Sequence, residues 1–223
     1  MTQGFFRLYK SYICLYKSNI FSVEAVISFF SYFLAIPSLI CIFADTMQRV
    51  KHFFIWLSRI THCRGFGIQS PTDYWLVRYV INEHWPYYHY SDVGQKDDWL
   101  RRKLGRLYMR LSNWRQPSIV VSDDYRTYFV AGCAKANVVS HAAFDGNKLD
   151  LVRFDIASDV NISRIYNKVD EQTVLVVEGI YRNMKLWREI VADERTGICF
   201  DLYYCGLVFF DKKRIKQHYI INF

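Results

Sequence analysis

Residues 196–223, TGICFDLYYCGLVFFDKKRIKQHYIINF, decide the fold. Two apolar runs rich in aromatic and β-branched residues, Ile198–Tyr204 and Leu207–Phe210, flank Cys205 and Gly206, and a third run, His218–Phe223, follows a charged interval. Runs this short, bounded by glycine and by charge, read as strands rather than helices. The first two are joined too tightly for a helical crossover, so they pair antiparallel, with the break expected at Cys205–Gly206. The third is expected to extend that antiparallel edge.

Working back from this hairpin, strand and helix alternate from Pro117 onward. Ser118–Ser122, Asn137–Ser140, Leu149–Phe154 and Thr173–Glu178 read as strands, and Tyr125–Lys135, Ile156–Val169 and Met184–Glu194 as helices. Continuous Val/Ile/Leu runs interleaved with helices belong to a parallel sheet covered on both faces. The expected fold is therefore α/β: a Rossmann-like, mainly parallel sheet over residues 117–223 that ends in an antiparallel hairpin.

Residues 47–116 supply N-terminal helices. Met47–His62 carries Val50, Phe53, Phe54, Leu57 and Ile60 at amphipathic spacing. Ser70-Pro71-Thr72-Asp73 reads as an N-cap serine, a first-turn proline and a capping-box acid opening a helix that runs to about Glu83. Asp92–Trp114 is a longer helical pattern, whose interleaved cations Arg101, Arg102, Lys103, Arg106, Arg110 and Arg115 read as a solvated face, the alternative being a stripe that faces nucleic acid or lipid.

Residues 1–46 differ in kind. Ala25–Ala44 carries no charge and is long enough to cross a bilayer. Three readings stand open: a membrane anchor holding a cytoplasmic domain at the inner membrane, a signal peptide, and an upstream translation preceding a start at Met47. The chain has 223 residues, 52% of them hydrophobic, which supports a sizeable core and argues against disorder. A net charge of +8 permits contact with phosphate or anionic lipid; beyond that charge, nothing indicates nucleic acid. Six cysteines without a CxxC pair fit a reducing compartment and argue against a zinc or disulfide framework.

The stretch RGFGIQSPTDYWLVRYVINEHWPYY, residues 64–88, resembles the opening segment of a bacterial group of class I S-adenosylmethionine-dependent methyltransferase-like proteins. There a Gly-x-His-Ser-Pro-Phe pattern stands where this chain has Gln69 for the histidine and Thr72 for the phenylalanine. The closing hairpin and TVLVVEGIYRN, residues 173–183, are similar to the same group. The resemblance implies a methyltransferase-type fold and S-adenosylmethionine (SAM) as cofactor, the methyl acceptor being unspecified. It also implies a glycine-rich turn after the first strand and an acid closing the second. Here Asp123-Asp124-Tyr125-Arg126-Thr127 follows Ser122 with no glycine before Gly132, and His141-Ala142-Ala143-Phe144 follows the second strand. The segment between first strand and last crossover also looks short by one strand–helix unit. Loss of SAM binding is the expectation, and a non-catalytic binding or scaffold domain is the alternative to a methyltransferase.

Four acids are the candidate cofactor-binding residues: Asp123 and Asp124 after the first strand, Asp155 and Glu178 at the carboxyl ends of later ones. Open α/β sheets bind ligands at that rim. In metal-dependent methyltransferases, which the Asp155 and Glu178 positions resemble, acids there help hold a divalent ion. Helix capping and solvation explain the same acids more simply, and we expect no metal site. The histidines show no metal or catalytic spacing, and Tyr87, Tyr88 and Tyr90 could stack on a base or pack between helix and sheet.

Overall fold

A strand turns successive side chains to opposite faces, so an all-apolar run fits only a strand buried on both sides. In the computed structural model, which describes Met47 and residues 50–146, 148–158 and 160–223, the runs of the five central strands meet that requirement, and the two edge strands are more exposed. Strands β1 (Ile119–Val121), β2 (Asn137–Val139), β3 (Leu151–Asp155), β4 (Val174–Glu178), β5 (Ile198–Asp201), β6 (Cys205–Phe209) and β7 (Gln217–Ile220) form one sheet of order β2-β1-β3-β4-β6-β5-β7. β1 through β4 pair in parallel. β6 runs against both of its neighbours, β4 and β5, and β7 lies parallel to β5 at the edge. The protein is thus α/β with a mixed, mostly parallel sheet and an antiparallel hairpin.

Alternation sorts the core into two layers. Val120, Leu151, Val176, Phe200 and Leu207 face one cluster, and Val121, Val152, Val177, Cys199 and Val208 face the other. Helices α1 (Pro71–Leu76), α2 (Trp99–Arg115) and α3 (Arg126–Gly132) contribute to the first layer, and α4 (Ile162–Tyr166) and α5 (Met184–Ala192) to the second. Each fully buried Leu, Val or Phe contributes about 1.5–3 kcal/mol, so the six buried side chains of Leu104, Leu107, Tyr108, Met109, Leu111 and Phe129 bind α2 and α3 firmly to the sheet.

Local chemistry sets the boundaries. Ser70 caps α1 as expected, its hydroxyl accepting from the Asp73 N–H, and the helix continues as a π-turn over Val77–Ile81. Asp73 is not a capping-box acid: its buried carboxylate pairs with Arg214 at 2.6 Å. The long helix begins at Trp99 rather than Asp92, because Gly94 takes a positive φ and Asp98 supplies the cap, accepting from the Arg101 N–H at 2.6 Å. Of the expected Ile156–Val169 helix, Ile162–Tyr166 is helical; Asp155 instead directs a turn by accepting from the Ala157 N–H.

The decisive hairpin departs from expectation twice. Its turn lies at Leu202–Tyr204, where the Asp201 carboxylate accepts from the Tyr203 N–H and Tyr203 adopts φ 70°. Gly206 belongs to β6, and a Cβ there would lie 2.2 Å from the ring of Trp187, itself 1% exposed. The glycine is required by the indole, not by a turn. The third run does not prolong an antiparallel edge, since β7 is parallel to β5. The interval between Phe209 and Gln217 crosses the start of β5, so β7 reverses direction from β6 yet pairs with β5 on its far side.

The chain divides into two compact units, Met1–Ile55 and Trp56–Phe223. In the first, residues 50–55 are helical; the uncharged run Ala25–Ala44, with every reading of residues 1–46, lies outside the described residues. No helix among the described residues is long and apolar enough to cross a membrane. In the second unit the helical segment and the sheet share their core.

Candidate functional site at the carboxyl ends of the strands

Asp155 and Glu178 are register partners at the last positions of β3 and β4. Two positions back on β3 stands Arg153, diagonal to Glu178, within reach for a long side chain. Its guanidinium donates to Glu178 Oε2 from Nε at 3.0 Å and from Nη2 at 2.6 Å. The Tyr108 hydroxyl of α2 donates to the same oxygen at 2.8 Å, and the Tyr125 hydroxyl donates to Oε1 at 3.1 Å. The Arg153 and Glu178 side chains are 9% and 13% exposed, so the pair is largely withdrawn from water.

A buried ion pair is stable only when its remaining lone pairs and protons are satisfied, and the two phenols do this for Glu178. Burial and the nearby carboxylate push both the Tyr108 and Tyr125 hydroxyls well above the usual tyrosine range. Burial works against the Arg153 charge, but Glu178 more than offsets it and holds the guanidinium above its ordinary value. The rings add contact: Tyr108 meets Tyr125 edge-on at 4.9 Å, and Arg153 lies 5.0 Å from the Tyr125 ring.

The loop after β1 is tied into the same arrangement. Asp124 accepts two parallel bonds from Arg101, both 2.6 Å, and also accepts from the Tyr125 N–H. The Arg101 bonds hold its carboxyl below the usual carboxylate range. Asp123 is exposed and accepts from the His141 N–H at 2.9 Å, linking the ends of β1 and β2. Tyr125 adopts φ 60°, a left-handed conformation that disfavours a bulky residue by about 1–2 kcal/mol. The backbone therefore bends where a glycine would be at ease, while the position carries a ring that fills the space beside Glu178. Arg101 lies 4.6 Å from that ring.

Of the four predicted acids, the structure brings Asp124 and Glu178 to one cluster through Tyr125 and engages Asp155 and Asp123 elsewhere. Asp155 pairs with Arg182 and caps the turn at Ala157. Both strand-end acids are thus claimed by an arginine. Among the described residues no three of His, Cys, Asp and Glu gather as a metal site. Cys205, the β6 neighbour of Glu178, is fully buried, and burial pushes its thiol well above the ordinary value, so it is a poor nucleophile. The solvated position expected for Glu178 is therefore wrong: it is the hub of a buried network.

Arg153 and Tyr108 escaped the sequence reading, and Arg101 was read there only as part of a solvated face. A signal was present for Arg153: a cation inside the apolar run LVRFD needs a partner on its own face of the sheet. Comparison of the chain with protein-family models, curated proteins and solved structures found no match.

Proposed function

We propose that residues 56–223 form a methyltransferase-type domain that no longer transfers methyl groups and acts as a non-catalytic binding domain. The observation that carries this reading is the saturated Glu178 hub: the strand rim where a cofactor would sit is occupied by the chain's own Arg153, Tyr108 and Tyr125. Antiparallel β6 between the parallel β4 and β5 supports the methyltransferase-type scaffold, as does the resemblance of its two ends. A SAM site needs backbone that approaches the cofactor closely, whereas the loop after β1 presents Asp124 locked to Arg101 and the Tyr125 ring. Calorimetric titration with SAM and with S-adenosylhomocysteine tests this. No saturable heat is expected up to about 1 mM; stoichiometric micromolar binding would restore the enzyme reading.

The uncharged run Ala25–Ala44 supports a separate reading, attachment to a membrane. Cell fractionation decides it, recovery of the native protein wholly in the supernatant counting against an anchor.

A further inference from the structure

A second, partly buried cluster of cations lies along α2, without ion pairs to carboxylates among the described residues. Arg102, Lys103, Arg106 and Arg110 line a cavity of about 320 Å³ together with Asn82, Tyr90, Trp99 and Phe223. None of these four cations forms an ion pair with a carboxylate among the described residues, in contrast to Arg101 beside them. Arg102 donates to the carbonyls of Gly94 and Asp97, and Arg110, 6% exposed, donates to those of Val80 and Ile81. Glu83, an acid on the wall, has an oxygen engaged by the N–H groups of His84 and Trp85.

Two donors of lining residues, Arg106 Nε and Asn82 Nδ2, have no hydrogen-bond partner among the described residues, but both atoms are buried behind the wall rather than open to the cavity. Native proteins leave few such groups, and each costs free energy. Lys103 Nζ is enclosed by rings instead of oxygens, 4.5 Å from the Phe223 ring and 4.9 Å from that of Trp99. Burial lowers its pKa to about 8. Arg106 is likewise 4.7 Å from the Tyr90 ring. Cations without carboxylate partners and an aromatic wall describe one complementary ligand: an anion with a planar apolar part.

We propose that this cavity binds a small organic phosphate, its charged group held by Lys103 and Arg106 and its planar part resting against the aromatic wall. Its volume suits such a molecule, ligand cavities starting at about 300 Å³. A nucleic-acid backbone would ask for an open stripe of cations rather than a cavity. The inference does not rest on the methyltransferase reading, because the cavity shares no residue with the Glu178 hub.

The test is calorimetric titration of the full chain, near neutral pH, with AMP, adenosine and inorganic phosphate in separate runs. AMP is expected to saturate one site, inorganic phosphate to compete with it, and adenosine to bind at least about tenfold more weakly. Arg106→Gln and Lys103→Met should each weaken AMP by about tenfold or more. Arg195→Gln, whose partner Asp193 lies outside the cavity, should leave it unchanged. If Arg106→Gln fails to fold by circular dichroism, Lys103→Met carries the comparison. Absence of saturable heat from both AMP and phosphate overturns the proposal, as does an AMP affinity unaltered in Lys103→Met. A single-stranded oligonucleotide that binds more tightly than AMP would also overturn it and make this a nucleic-acid face.

Discussion

The Glu178 hub and the α2 cavity are built from the same materials, arginines and aromatic rings, yet they treat charge in opposite ways. At the hub the Arg153 guanidinium meets a carboxylate, and both carboxylate oxygens accept further bonds from phenols. In the cavity Lys103 faces rings, and Arg106 and Asn82 keep buried donors unanswered. The difference separates two uses of buried polarity. A network closed on itself fixes structure and leaves little for a ligand to gain. An unclosed one leaves cations that a ligand's charge can meet.

The strongest way to break the contrast is to open the hub. Glu178→Ala leaves Arg153 buried and unpaired, and should cost about 3–5 kcal/mol, lowering the melting temperature by roughly 10 °C. Urea denaturation measures it; a loss under about 1 kcal/mol would show that the pair behaves as a surface contact. Replacing both partners, in Arg153→Met with Glu178→Leu, should be less damaging than the summed single changes, with a coupling of about 1–3 kcal/mol. Additive effects in that cycle would mean that the two side chains act independently.

Removing charge from the cavity should have the opposite sign. Lys103 has its folded pKa lowered to about 8 from 10.5 by burial and by Arg110. Below about 8 the folded chain carries a charge that burial disfavours. Between about 8 and 10.5 the unfolded chain binds a proton that the folded chain has released, so this group makes stability rise with pH there. Lys103→Met should therefore be more stable than the parent near neutrality, by about 1–3 kcal/mol, with the gap closing across that pH window. A gap independent of pH would assign the effect to packing alone. The smallest effect belongs to Tyr125→Phe, which keeps the ring and removes one bond to Glu178, for about 1 kcal/mol. A stability equal to the parent's would place that hydroxyl outside the network.

How much of this was legible depended on sequence distance. The apolar runs marked the five central strands, because burial on both faces leaves a continuous signature; the edge strands β2 and β7 are more exposed. Glu178 stood out at a strand end, but its partners Arg153, Tyr125 and Tyr108 lie 25, 53 and 70 positions away and are brought to it only by the fold. The cations of α2 read as a solvated face because helical spacing cannot tell which of them meets another element. Arg110 is buried because the carbonyls at the end of the π-turn accept its protons, a tertiary event with no local mark. Gly206 looked like a turn residue, since a glycine required by a distant indole and one required by a bend are written with the same letter. The neighbour of β7 was equally hidden: the strand reverses from β6, but the interval before it passes the start of β5, and the pairing is with β5.

The contact between Gly206 and Trp187 also limits how this chain can change. A lone side chain at position 206 collides with the indole, and a lone smaller residue at 187 leaves a void, so each single step is costly in its own way. The two positions are exchangeable only together, as a smaller ring at 187 with an alanine at 206. Related chains should accordingly vary at both sites or at neither, and that correlation would identify the hairpin where the rest of the sequence has drifted beyond recognition.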